Sequence, residues 1–212
     1  MPNVPKGAAQ EVTLDTELSA FLEREADEHR AAFESFMGGL RDPFARMLAL
    51  WHSSIRQGGK LLVFGNGGSA GNAQHIAAEL VIRYETDRAA IAAVALTADS
   101  SVLTAAGNDL GFDSVFSRQI AALGRRGDVA VGISTSGRSP NVLAALREAR
   151  ALGLHTTGLI GRDGGAMREL CDAAIIVPSK VTARIQEMHL VVTHMLCKAL
   201  EARLGLSAWT CA

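Results

Sequence analysis

Residues 61–80, LLVFGNGGSAGNAQHIAAEL, limit the possible folds of this chain more than any other stretch. Four apolar residues that suit a buried strand run into Gly65-Asn66-Gly67-Gly68-Ser69, and a helical segment follows. The glycine run reads as too flexible to serve packing, and glycine lets backbone N–H groups approach a ligand closely. The positive end of the following helix points at the same spot. Asn66, Gly67, Gly68 and Ser69 therefore read as an anion or sugar-phosphate cradle. On the helix, His75 and Glu79 are four residues apart and share a face. An i, i+4 His/Glu pair is often a plain surface contact. Here the neighbours Ile76, Ala77, Ala78 and Leu80 are small or apolar, so the helix is expected to be buried, and buried ionisable groups need a partner, a metal or a chemical task.

The rest of the chain extends this unit. Apolar runs at residues 60–64, 90–96, 128–133, 155–160 and 173–177 predict five short strands. Helical patterns are predicted at 70–84, 100–106, 113–123, 140–152 and 183–204, with a polar turn at Gly107-Asn108-Asp109. Continuous apolar strands alternating with helices imply an α/β fold: a flavodoxin-like, doubly wound, five-stranded parallel sheet covered on both faces. Ligands in such folds sit at the carboxyl ends of the strands. The first and third strands share a strand–polar loop–helix plan, which reads as the general grammar of such sheets rather than as an internal repeat.

Two helices precede the first strand. One is expected from residue 12 to about 37, after a disordered start at 1–11. The second has Asp42 as N-cap and Pro43 at N1 and ends at Gly58-Gly59. Residues 1–57 are thus expected to be a helical extension packing on the core and in an oligomer, and 58–212 the α/β domain. The tail 207–212 is expected either to pack at an interface through Trp209 or to be loose.

Composition removes several function classes. With 21 Lys+Arg against 22 Asp+Glu, the net charge of −1 implies no bulk attraction to nucleic acid or membrane. No apolar run approaches the roughly 20 residues of a membrane span, and no apolar signal core opens the chain. Three dispersed cysteines, Cys171, Cys197 and Cys211, make no CxxC pair and suggest a reduced, cytoplasmic protein.

Ser134, Thr135, Ser136 and Ser139 place four hydroxyls at the carboxyl end of the third strand, with Ser139 as N-cap and Pro140 at N1 of the next helix. Hydroxyls and free N–H groups at a helix start make a phosphate site without a lysine. One hydroxyl would suggest only a cap; four favour phosphate. No Walker or G-x-G-x-x-G spacing is present. On the last helix stand Gln186, Glu187, His189 and His194. At 100° per residue, Glu187 lies about 20° from His194 and Gln186 about 80°, while His189 is about 140° away. Geometry alone favours Glu187 as the partner of His194, and His189 reads as a core-edge or interface residue.

Taken together, Gly65-Asn66-Gly67-Gly68-Ser69, Ala73-Gln74-His75, Gly107-Asn108-Asp109, Gly132-Ile133-Ser134-Thr135-Ser136-Gly137, Asp163-Gly164-Gly165 and Arg184-Ile185-Gln186-Glu187-Met188-His189 resemble the sugar isomerase (SIS) domain family, in its phosphoheptose isomerase branch. The resemblance covers nearly the whole chain. It implies an aldose–ketose isomerase that converts D-sedoheptulose 7-phosphate to D-glycero-D-manno-heptose 7-phosphate through an enediol. Glu79 and His194 match the family's acid/base pair. Ser134, Thr135, Ser136 and Ser139 match its phosphate loop, and Asn66, Gly67, Gly68, Asn108, Asp109 and Gln186 match its sugar-contacting positions. The family also implies homotetramers with sites between subunits and, in some members, zinc held by His75, Glu79, Gln186 and His194. On family grounds this selects Gln186 over Glu187. A zinc-bound carboxylate is a poorer proton carrier, so the metal is either structural or exchanges ligands in turnover.

The chain departs from the family at Asn72 and Ala183, where many isomerases have aspartate. These two residues, and Tyr84-Glu85-Thr86, also resemble the family's non-catalytic branch, which binds the replication initiator. That branch lacks the acid and the final histidine, whereas this chain has Glu79 and His194. The alternatives to heptose isomerisation are that regulatory role or isomerisation of another sugar phosphate.

Overall fold

The computed structural model describes residues 6–208, with side chains from residue 15 onward. Five strands, β1 (Leu61–Gly65), β2 (Ala93–Ala95), β3 (Val129–Ser134), β4 (His155–Gly161) and β5 (Ala173–Val177), form one sheet in the order β2-β1-β3-β4-β5, every pair parallel. This is the flavodoxin-like doubly wound order expected from the alternation. The order reverses between β1 and β3, so the carboxyl ends of these two strands open the crevice where such sheets bind ligands.

Seven helices accompany the sheet: α1 (Lys6–Met37), α2 (Arg41–Arg56), α3 (Gly68–Val81), α4 (Ser100–Asp109), α5 (Ser117–Leu123), α6 (Pro140–Ala151) and α7 (Thr182–Arg203). Successive strand residues face opposite sides. Leu61, Val63, Val131 and Ile133 therefore join a core layer with α2, α3 and α7, while Leu62, Phe64 and Ala130 join the opposite layer with α5 and α6. Met47 and Trp51 of α2 are fully buried in the first layer, so α2 is part of the core. Trp51 Nε1 donates to the Thr157 hydroxyl at 3.2 Å, which satisfies both buried polar groups.

Several local expectations are corrected. Helix α1 already begins at Lys6, while residues 1–5, also expected to be disordered, lie outside the described residues, as does Trp209. The N-cap of α2 is Leu40, because Arg41 is already helical; Asp42 and Pro43 sit inside the first turn. Gly107-Asn108-Asp109 is not a turn but the last turn of α4, since the chain reverses instead at Gly111, whose φ of 88° only glycine adopts readily. The helix expected at 113–123 splits into a 3-10 turn, Phe112–Ser114, and α5. A 3-10 segment at Gly165–Leu170, which the sequence pattern does not signal, buries Met167 between β4 and α6. Strand β2 is shorter than predicted and half-exposed, as suits a sheet edge.

Candidate active site

Two loops at the carboxyl ends of β1 and β3 meet across the switch point. Gly65 ends β1 opposite Ile133 of β3. A Cβ on Gly65 would lie 2.7 Å from the Ile133 carbonyl and 2.8 Å from Ser69 Cβ. This glycine is kept for close packing, contrary to the reading of the whole run as too flexible for that role. Gly67 turns the chain at φ 54°, and α3 starts at once, with Ser69 N–H closing back on the Asn66 carbonyl at 2.9 Å. The Asn66 side chain reaches across to α6. Its amide and that of Asn141 exchange two hydrogen bonds of 2.8 Å each, and Asn141 Oδ1 also accepts from Val142 N–H. This amide clamp ties the first loop to the second. Asn141 escaped the sequence reading because its only signal, a position two residues after an expected N-cap, does not reveal a partner 75 residues away.

The second loop is held from below. Ser134 Oγ accepts from Gly137 N–H at 3.1 Å and lies 3.1 Å from Ser139 Oγ. Ser139 does occupy the N-cap position of α6 with Pro140 at N1, but its hydroxyl makes no capping bond. Thr135, Ser136 and Ser139 are half-exposed, while Ser134 is buried. Gly137 packs so tightly on the 163–165 loop that a Cβ would lie 2.1 Å from the Gly164 carbonyl. Arg138 forks onto Asp163 at 3.0 and 2.7 Å, and its guanidinium holds that carboxyl down at about 2.

Helices α3 and α7 run side by side in the same direction. At the first contact, Gly68 faces the side chain of Gln186 so closely that a Cβ there would stand 2.4 Å from Gln186 Nε2. Two turns further along each helix, His75 Nε2 meets His194 Nε2 at 2.8 Å. Glu79 Oε1 lies 3.5 Å from His75 Nε2. The ligand atoms of His75, Glu79 and His194 all fall within 4.8 Å of one another, close enough for two imidazoles and a carboxylate to share one ion. The expected burial of α3 is corrected: His75 and Glu79 side chains retain 38% and 20% exposure, leaving the cluster open on one side. Tyr84 adds a ring 5.5 Å from that of His194, and burial, then the nearby Glu85 carboxylate, raises its phenol pKa.

The structure also separates Gln186 from Glu187. Glu187 pairs with His29 of α1 at 2.7 Å and with Arg184 at 3.0 Å, so the residue that helix geometry favours is engaged elsewhere. Gln186 lies against the glycine loop, where Asn72 Nδ2 also reaches its carbonyl at 3.5 Å. His189 is fully buried in the core rather than at its edge. Burial depresses its pKa to about 4, offset in part by the Ile160 backbone, and no short, well-aligned hydrogen bond reaches either ring nitrogen among the described residues. Asn108 and Asp109 sit exposed at the end of α4, bonded to each other at 2.7 Å, and no described hydrogen bond joins them to the two loops.

A glycine-and-hydroxyl cradle at the switch point, beside a His–Glu–His cluster on two parallel helices, defines an α/β domain built to bind a phosphorylated small molecule and move protons on it. A family model for the SIS domain matches residues 26–161. The phosphoheptose isomerase of Paramagnetospirillum magneticum is 55% identical over 184 residues, 87% of this chain and 96% of that protein. Among solved structures, phosphoheptose isomerase GmhA from Neisseria gonorrhoeae superposes with a TM-score of 0.82 at 42% identity, covering 87% of this chain and 99% of that one. A phosphoheptose isomerase from Francisella tularensis gives 0.81 at 36% identity, covering 89% and 97%. The chain belongs to the SIS-domain family, in its phosphoheptose isomerase branch, and is a sugar-phosphate isomerase.

Proposed function

We propose that this enzyme interconverts D-sedoheptulose 7-phosphate and D-glycero-D-manno-heptose 7-phosphate, with Glu79 and His194 as its acid/base pair. The observation that carries this reading is the placement of both groups, one on α3 and one on α7, around a single point beside the hydroxyl loop. The relatives' names supply the sugar class. Ser134, Thr135, Ser136 and Ser139 take the phosphate; Asn66, Gly67, Gly68, Ser69 and Gln186 line the sugar's path. Asn108 and Asp109 join the site only if substrate or a second subunit brings them to it.

The reaction moves one proton and one pair of electrons between C1 and C2. His194 removes a proton from C1 of the ketose while Glu79 protonates the C2 oxygen, which gives the enediol. Reprotonation at C2 and loss of the O1 proton give the aldose, with the roles exchanged in the reverse direction. Positioned acid/base groups of this kind contribute roughly 10²–10⁴-fold. His75, Glu79, Gln186 and His194 are the donors that would hold zinc, one per subunit; the fit rests on two imidazoles, a carboxylate and an amide oxygen, a set zinc accepts. When bound, zinc supplies Lewis-acid polarisation of the sugar oxygens.

Residues 1–57 serve the core and a homotetramer. Leu18, Phe21 and Leu22 stand 51%, 48% and 57% exposed on α1, an apolar stripe that a neighbouring subunit would cover. Cytoplasmic residence is supported by the free Cys171 and Cys197, whose thiols burial holds up at about 12. No helix among the described residues is long and apolar enough to cross a membrane.

The test is incubation with sedoheptulose 7-phosphate in deuterium oxide, followed by NMR with and without zinc. A heptose 7-phosphate carrying deuterium at C2 is the expected product. No product under either condition overturns the substrate reading and favours another sugar phosphate or a regulatory role.

A further inference from the structure

The contacts between α3 and α7 continue one step beyond the cluster. Helix α3 ends at Val81, just past Glu79, and its last carbonyls have no partners within the helix. Arg88 supplies them. Its Nη2 donates to the Glu79 carbonyl at 2.7 Å and its Nη1 to the Leu80 carbonyl at 2.7 Å. The Ala89 and Ile82 carbonyls accept from Nη1 at 3.0 and 3.5 Å. The remaining edge, Nε, donates at 2.7 Å to Glu201 of α7, and the same carboxylate oxygen accepts from Tyr84 N–H at 3.2 Å. The two side chains are 1% and 2% exposed. Glu201 lies two turns beyond His194 on the same helix. The thiol of Cys197, between them in sequence, feels Glu79, Glu201 and Arg88 alike, which places all four groups in one electrostatic neighbourhood.

A surface arginine could cap a helix end equally well for stability. This one is buried, at the cost of desolvating both charges, and uses its fork to join the backbone of the proposed acid to the helix of the proposed base. The geometry points to Arg88 as a positioning residue for isomerisation: through the Glu79 carbonyl and the Glu201 carboxylate it sets where Glu79 stands along α3 relative to His194 on α7. Gly68–Gln186, His75–His194 and Arg88–Glu201 are then three successive rungs between the two helices. Arg88 touches no substrate; it acts through Glu79. The inference rests on the assignment of Glu79 and His194 made above.

Two variants separate positioning from stability. R88K keeps a cation beside Glu201 but loses the fork. R88M/E201L replaces the buried ion pair by apolar side chains, which generally preserves folding where removing one partner does not. Both should fold, with kcat lowered about 10–100-fold and KM within about twofold of wild type, since a small displacement of a catalytic group costs that much. The imidazole ¹H–¹⁵N cross peaks of His75 and His194 should move in R88K. A folded double variant with wild-type kcat and unmoved histidine peaks overturns the proposal. If the wild-type protein turns over no sedoheptulose 7-phosphate, the substrate assignment falls, and the histidine peaks still decide the role of Arg88.

Discussion

Nε2 of His75 and Nε2 of His194 lie 2.8 Å apart, although 119 residues separate them in the chain. At that distance one nitrogen donates and the other accepts, so the two rings hold complementary tautomers. The contact fixes the faces of α3 and α7 toward each other and leaves Glu79 beside the pair. It makes the three side chains one unit, and their substitutions should not act additively.

Replacing Glu79 by glutamine keeps the shape and removes the proton carrier. Turnover should fall roughly 100-fold or more, with oligomeric state and melting temperature close to wild type. Steady-state kinetics and size-exclusion chromatography measure both. Wild-type-like activity would remove Glu79 from its assigned role.

Glycine substitutions should separate site from fold. In Gly68→Ala the new methyl meets the flexible end of Gln186, which swings away, so activity drops about tenfold or more while the protein stays folded. In Gly137→Ala the methyl meets the Gly164 backbone at 2.1 Å from a residue whose φ is 65°, and neither side yields. That variant should lose about 3 kcal/mol or more of stability. Urea unfolding of both proteins makes the comparison.

Ser139→Ala removes a hydroxyl that caps nothing. Stability should barely change, whereas KM should rise about tenfold or more through loss of a hydrogen bond to a charged phosphate. An unchanged KM would place the phosphate elsewhere.

Zinc should bind through the His–Glu–His cluster. Calorimetry with zinc alone should show an affinity that His75→Gln weakens by at least about tenfold, and dialysis against a chelator should lower turnover in a way added zinc restores. Equal affinity in the variant would exclude His75 as a ligand.

His189 makes stability depend on pH. Its folded pKa of about 4 lies below the ordinary 6.5, so between these values the unfolded chain binds a proton that the folded one refuses. Stability contributed by the neutral ring is therefore lost as pH falls from 6.5 toward 4, by about 3 kcal/mol across the window. His189→Leu should flatten that part of the profile in denaturant melts measured from pH 4 to 7. An unchanged slope would assign the acid sensitivity to other groups.

Much of the molecule was legible in advance because it depends on short-range patterns. The five strands announce themselves as continuous apolar runs, and the parallel order follows from their alternation with helices. Both loops of the cradle are visible as runs of glycine and hydroxyl residues. The errors fall where distant contacts override local preference. Gly107 looks like a turn but is held in α4, and the glycine run looks uniformly flexible although Gly65 is squeezed by β3. Asn141 and Arg88 look like ordinary polar residues until their partners are known.

The sequence by itself determined the class of fold, the two loops and the set of residue types available for proton transfer, since these depend on spacing along one chain. The tertiary structure alone decided which of them meet. An isolated helix would pair Glu187 with His194, because 20° of azimuth is all a helix can register. Packing of α1 draws Glu187 to His29 and Arg184, and packing of α3 sets Gln186 against Gly68 and His194 against His75. Those choices depend on the relative placement of three helices, which no periodicity within one of them encodes.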